Sequence, residues 1–166
     1  MDIHNFLQKE VQKLHDTENQ LAEGLSFLAN HAQNNDLRSA LLEHREETIE
    51  HARRLEQVCQ MMGCSPTGET DSVTRALVAD AQKMFENAPM SAITDACIIA
   101  AAQKAEHLEM ASYGTACTLA DEMDHDEVKD LLGKTLDEEK SADKKLSKLA
   151  EDGINQEAVA SGATMR

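Results

Sequence analysis

The stretch Ala100-Ala101-Ala102-Gln103-Lys104-Ala105-Glu106-His107-Leu108-Glu109-Met110-Ala111-Ser112-Tyr113 decides the fold of this chain. Ala, Gln, Lys, Glu, Leu and Met are the strongest helix formers, and no Gly or Pro interrupts them. One face of the resulting helix carries Ala102, Glu106, Glu109 and Tyr113, at the i, i+4, i+7, i+11 spacing of a stripe that faces a core. Two carboxylates on such a stripe are costly, because a buried charge needs a partner or a metal ion. The other helices must supply that compensation, and how they do so decides what the protein is.

Composition supports an all-α reading. The chain has 166 residues, one Tyr, three Phe and no Trp, so its core must be built from Leu, Ala, Ile, Val and Met. That length suits one domain with a substantial core. Seven Gly and two Pro leave long stretches unpunctuated. Against 31 acidic residues stand 16 Lys and Arg, a formal charge of −15. This excludes nucleic acid and an anionic membrane surface as partners, since both demand a basic face. It suits a protein that concentrates cations. No apolar run reaches membrane-spanning length, and the N-terminus lacks a basic segment followed by an apolar one. Cys59, Cys64, Cys97 and Cys117 form no Cys-x-x-Cys pair and read as buried, reduced thiols of a cytoplasmic protein.

Working outward, a first helix is expected from Ile3 to Ala32, with Phe6, Leu7, Val11, Leu14, Leu21, Leu25 and Leu28 as its stripe and Glu18 set among them. Asn34-Asn35-Asp36 breaks the pattern, and Asp36 is the expected cap of a second helix running to about Met62. That helix turns Leu37, Leu41, His44, Glu47, Thr48, His51, Leu55 and Val58 inward. A long crossover follows, holding a short helix over 71–87 with Val73, Leu77, Ala81, Met84 and Phe85 as its stripe. Pro89 is expected to stop it, and Ser91 to cap the third long helix, which ends near Met123. A turn at Asp124-His125-Asp126 leads into a fourth helix ending near Asp152. The domain thus spans 1–152, and 153–166 reads as a flexible polar tail.

A repeat underlies this layout. A shift of 91 residues superposes Glu18 on Glu109, Leu28 on Leu119, Leu41 on Leu132, Glu47 on Glu138 and Leu55 on Leu146. Each half holds two glutamates 29 residues apart, centred near a turn. In two antiparallel hairpins this sets Glu18 level with Glu47 and Glu109 level with Glu138, one glutamate per helix at the middle of a four-helix bundle. Glutamate is common on solvated helix faces, and runs such as Asp137-Glu138-Glu139 usually lie there. The register within apolar stripes is what singles these four out.

Ionised carboxylates cannot share a dry interior, and two cations would resolve the conflict. The expected metal ligands are Glu18, Glu47, Glu109 and Glu138, completed by Glu106, His51 or Asp143. His44, Tyr113 and Glu139 are expected behind them, Tyr113 donating to a ligand carboxylate. Hard oxygen donors with one or two imidazoles suit two iron ions, or manganese, better than zinc or copper. The Glu-x-x-His spacing of carboxylate-bridged di-iron bundles is not kept: Glu50 follows Glu47 at that position, and Ser141 follows Glu138.

Ala100 to Glu109 with Ser112-Tyr113-Gly114-Thr115, His44 to Thr48, and Thr135 to Lys140 with Asp143 and Leu146 together resemble the YciE/YciF-type bacterial stress proteins, a ferritin-like family. The likeness covers residues 1–152. It implies a rubrerythrin-like four-helix bundle, a role in stress response, a homodimer, and ferroxidase chemistry in which dioxygen or peroxide oxidises bound iron. Surplus apolar residues on the third long helix, Ala96, Cys97, Ile98 and Ile99, also point to a second copy as partner. The alternative is a non-enzymatic stress-protection bundle whose site is structural or vestigial.

Overall fold

In a computed structural model, which describes residues 2–85 and 91–163, the chain is a helical bundle. The helices are α1 (Ile3–His31), α2 (Asn35–Met61), α3 (Ser72–Phe85), α4 (Ala92–Glu122), α5 (Asp126–Leu149) and α6 (Asn155–Ala163). No strand occurs among the described residues, and no helix there is long and apolar enough to cross a membrane. The expected stop at Pro89 lies outside the described residues.

Local chemistry explains the boundaries. Asp2 caps α1 by accepting from the Asn5 N–H at 2.8 Å. The cap of α2 is Asn34 rather than Asp36: its side-chain oxygen accepts from the N–H groups of Asp36 and Leu37 at 2.9 and 3.0 Å. Asp36 lies inside the first turn, where a negative charge meets the positive end of the helix. Buried Asp95 accepts from the Gln33 and Asn34 N–H groups at 2.7 and 2.9 Å, so the α1–α2 turn is fastened to α4. At the start of α4 the Ser91 N–H donates to Thr94 Oγ1 at 3.0 Å.

The long helices pack antiparallel as two hairpins. Gln8 on α1 donates to the Met62 carbonyl at the end of α2, and Gln103 on α4 donates to Asp143 and Ser147 on α5. Across the hairpins Tyr113 reaches Glu18, and Arg54 on α2 reaches Thr135 on α5. Helix α3 lies outside, against α1 and α4. It is rolled from the expected face: Val73 and Met84 are exposed, whereas Thr74 is buried and shares a 3.0 Å hydrogen bond with Thr17.

Two apolar halves make up the core. One gathers Leu25, Leu28, Leu37, Leu41, Ile98, Ile99 and Leu146; the other gathers Leu7, Val11, Leu14, Leu55, Val58, Tyr113 and Leu132. Between them every long helix carries polar side chains. Of the four thiols only Cys59 is fully buried, and burial, with Cys64 beside it, pushes it up to about 12.

Over its described residues, to Ala163, the C-terminal segment departs from the expected flexible tail. Gly153, at φ 154°, turns the chain through a wide turn at Ala150–Ile154, a conformation that favours glycine. Helix α6 then packs on α4. Its small, polar composition hid the anchor, since Ile154 is buried with Ala150, Ile98 and Ile99. Of the α4 residues that pointed to a second copy, Ile98 and Ile99 are buried within the chain, while Ala96 and Cys97 are half-buried. Ile154→Ala is expected to cost about 2–5 kcal/mol in chemical denaturation. Val159→Ala, at a side chain 73% exposed, should cost almost nothing. Equal effects would mean that the segment does not dock.

Candidate metal centre

The polar layer between the two apolar halves is built from six side chains. Helix α1 supplies Glu18, α2 supplies His44 and His51, α4 supplies Glu106 and Glu109, and α5 supplies Glu139; their exposures lie between 0% and 7%. Each sits on its helix's buried stripe. Residues seven apart, such as His44 and His51, return to one face after two turns. Their ring centroids are 6.4 Å apart.

Two groups of ligand atoms form, each spanning no more than 4.8 Å. One is Glu18, His51 and Glu139; the other is His44, Glu106 and Glu139. Glu139 belongs to both. In the first, His51 Nδ1 lies 2.7 Å from Glu139 Oε1 and 3.5 Å from Glu18 Oε2. In the second, His44 Nε2 lies 3.1 Å from Glu106 Oε1 and 3.4 Å from Glu139 Oε2. Yet Glu18 Oε2, His51 Nδ1, Glu106 Oε2, Glu109 Oε1 and both Glu139 oxygens are buried with no hydrogen-bond partner. Native proteins rarely leave so many lone pairs unmet in one place. The donors crowd together without hydrogen-bond geometry, the arrangement that a shared cation satisfies. No cysteine joins the layer, so the donor set is hard oxygen with two imidazoles.

The expected site residues divide. Glu18, His51, Glu106 and Glu109 are in the layer. So are His44 and Glu139, which were expected behind it. Glu47 and Glu138 are not: their side chains are 48% and 32% exposed. The α1–α2 register brings His51, one turn beyond Glu47, level with Glu18. At about 100° per residue, Glu47 and Glu138 fall roughly 80–100° off the stripes that contain His51 and Glu139. Asp143 belongs to neither group; it accepts from Gln103 at 2.9 Å.

The repeat nonetheless gave Glu47 and Glu138 equivalent tasks. Glu47 Oε2 is 3.2 Å from His44 Nδ1, and Glu138 Oε2 is 3.0 Å from His51 Nε2. Each rim carboxylate engages one ring nitrogen and leaves the other facing the layer, as carboxylates do behind metal-bound histidines. Arg54 holds Glu138 at 2.7 Å. The Tyr113 hydroxyl donates to Glu18 Oε1, as the sequence predicts.

Electrostatics follow from crowding. Burial and the neighbouring Glu139, Glu18 and Glu106 charges push Glu109 well up. Burial raises Glu139 to about 7 despite His51 and His44. Burial also raises Glu18, against the pull of His51. Burial alone would lower His51, but Glu139 and Glu18 carry it up to about 10. His44, likewise opposed by burial, is raised well above its usual range by Glu106 and Glu47. At the rim His44 holds Glu47 low; burial opposes the same effect of Arg54 and His51 on Glu138.

These shifts set a pH trend. A carboxyl raised from 4.5 to about 7 favours the folded state while protonated, and that advantage is lost as pH rises through about 7. An imidazole raised from 6.5 to about 10 does the same over the higher window. Chelator-treated protein should therefore melt at progressively lower temperature from about pH 5 to about pH 9. A melting temperature that rises over that range would show that the layer is not assembled as described.

Known proteins resemble this chain in sequence and in fold. The protein YciF of Escherichia coli K12 is 37% identical over 142 residues, 85% of this chain and 86% of that protein. The crystal structure of the Escherichia coli stress protein YciF superposes with TM-score 0.89 at 33% identity, covering 93% of this chain and 98% of that one. YcfI of Rhodopseudomonas palustris superposes at 0.84, also at 33% identity, over 89% and 94% of the two chains. A Xanthomonas campestris protein, at 16% identity and TM-score 0.70, shares the fold over 91% and 92%. The family described as a domain of unknown function, DUF892, matches residues 2–159, and the chain belongs to that YciF-type family.

Proposed function

We propose that this protein binds two cations of the iron or manganese class in its polar layer and, loaded with iron, acts as an oxidoreductase of the stress response. The observation that carries this reading is the set of buried, unpartnered lone pairs on Glu18, His51, Glu106, Glu109 and Glu139. One cation would be held by Glu18, His51 and Glu139, the other by His44, Glu106 and Glu139; Glu109 feels the charges of Glu139, Glu18 and Glu106. Bound iron supplies single electrons on demand. In a ferroxidase turnover two ferrous ions, as substrate, each lose one electron; dioxygen takes up both electrons and two protons and leaves as hydrogen peroxide. With peroxide as oxidant the same two electrons and two protons yield two waters.

The chain's residues set the conditions for this chemistry. Glu47 and Glu138 fix the tautomers of His44 and His51, so that a lone pair faces the layer. The carboxylates stabilise the more highly charged product. Loading must displace protons from raised Glu18, Glu109 and Glu139 and from both imidazoles, so affinity rises with pH. A cleft of about 210 Å³ between α2 and α5, lined by Glu43, Glu47, Glu138 and Lys145, reaches His44 and Glu106 and would admit cations.

A second reading keeps the ions but not the redox step. YcfI of Rhodopseudomonas palustris carries a provisional description as a structural protein, and any divalent cation would satisfy the same lone pairs. An optical spectrum after ferrous loading and oxidant separates the two: a ferric band develops for the oxidoreductase and none for the structural bundle.

Calorimetric titration of metal-free protein with ferrous or manganous ion should show about two equivalents, with proton release. Glu139→Gln should lose both ions while folding at least as stably without metal, because it removes a repelling charge. Glu47→Gln should keep the stoichiometry and weaken affinity roughly 10–100-fold. Full uptake by Glu139→Gln would overturn the proposed ligand set.

A further inference from the structure

A second opening meets the layer from the opposite side. Between α1, α3 and α4 lies a pocket of about 40 Å³, walled by Leu21, Leu25, Leu77, Val78, Ala101 and Ala105. Exposed Gln82 marks its outer end, and its floor is His44, Glu106 and Glu109. The volume exceeds what one water needs; the walls offer water nothing to bond, so that below Gln82 only the floor's His44, Glu106 and Glu109 are polar, and apolar space of this kind takes up xenon and similar apolar molecules. Small residues create the space. A Cβ at Gly24 would lie 3.5 Å from Val78 Cγ2, in ordinary van der Waals contact, and would take up part of that space.

The floor distinguishes this pocket from a packing defect. Glu106 Oε2 and Glu109 Oε1 are unpartnered, on side chains 1% and 2% exposed, and both residues line it. An apolar passage ending on carboxylates that lack partners is poorly suited to a cation or to peroxide, each of which would shed its hydration without replacement. It suits a small uncharged, apolar molecule whose reaction partner waits at the floor. The α2–α5 cleft, by contrast, carries Glu43, Glu47, Glu138 and Lys145 and reaches the same His44 and Glu106.

We propose that the α1–α3–α4 pocket is the access path and holding site for dioxygen, so that cation and oxidant reach the layer by separate routes. This rests on the oxidoreductase reading above and assigns its oxidant. Helix α3, contributed by the crossover, is then a wall of the oxidant site rather than a connector alone.

The test begins without metal. Xenon titrated into the chelator-treated protein, followed by methyl NMR, should give saturable shifts confined to Leu21, Leu25, Leu77, Val78, Ala101 and Ala105. Val78→Phe, which fills the pocket from the outer helix, should abolish them; Ala101→Leu fills it from α4 and guards against a misfolded first variant. In the iron-loaded protein both variants should keep ferrous uptake and slow dioxygen-driven oxidation several-fold, leaving the peroxide-driven rate near wild type. Absence of xenon shifts overturns the pocket. Xenon shifts with both oxidants slowed equally, or neither slowed, overturn its role as the dioxygen route while the metal centre stands. Failure of the wild type to take up ferrous ion overturns the metal reading and this assignment together, even where xenon binds.

Discussion

Four carboxylates in one buried layer are the constraint on which the rest of this structure depends. Two like charges about 4 Å apart repel by roughly 4 kcal/mol at the effective dielectric of a protein site, so the four cannot all ionise unaided. Helices α1, α4 and α5 provide the acids and α2 provides two imidazoles that, raised as they are, offset part of the charge. Burial, with the repulsion among these acids added to it, is what lifts Glu109 and Glu18 and carries Glu139 to about 7. Apolar packing above and below the layer supplies the stability that lets it persist.

Much of this was legible because helical stripes are periodic. The Ala102, Glu106, Glu109, Tyr113 spacing alone put two carboxylates and the phenol inside, and Glu18 stood out between Leu14 and Leu21 in the same way. What misled was giving the repeat precedence over the stripe on α5. Val128, Leu132, Thr135, Glu139 and Leu146 follow the helical spacing, and Glu138 does not; its appeal came from matching Glu47. The same preference set Glu47 level with Glu18 and left His51, one turn away, as an accessory. The α6 segment was missed for another reason: its docking rests on one buried isoleucine and a glycine turn, below what composition can signal.

The repeat still carried information, at a different depth. Glu47 and Glu138 are equivalent, but as rim acceptors behind imidazoles that both come from α2. The centre therefore has near-symmetric donor groups drawn from asymmetric helices. Each group has one imidazole and one carboxylate of its own, and the two share Glu139. Sharing a carboxylate brings the groups close enough to act as one unit. A bundle with the histidines divided between α2 and α5 would have shown the Glu-x-x-His pattern in sequence, and its absence here reflects this placement.

Stability alone would not produce such a layer. Replacing buried charges by well-packed apolar residues is often neutral or stabilising, so a bundle selected only to stay folded gains nothing from Glu109 or Glu139. A site whose sole task was to staple helices through zinc would draw on thiolates, which hold that ion well. The chain has four cysteines, and each packs in or against the apolar halves, outside the layer. The layer instead combines hard oxygens, imidazoles oriented by rim carboxylates, and acidic groups poised to release protons. That combination suits an ion whose charge changes during turnover, because protons can leave as positive charge arrives and return as it departs.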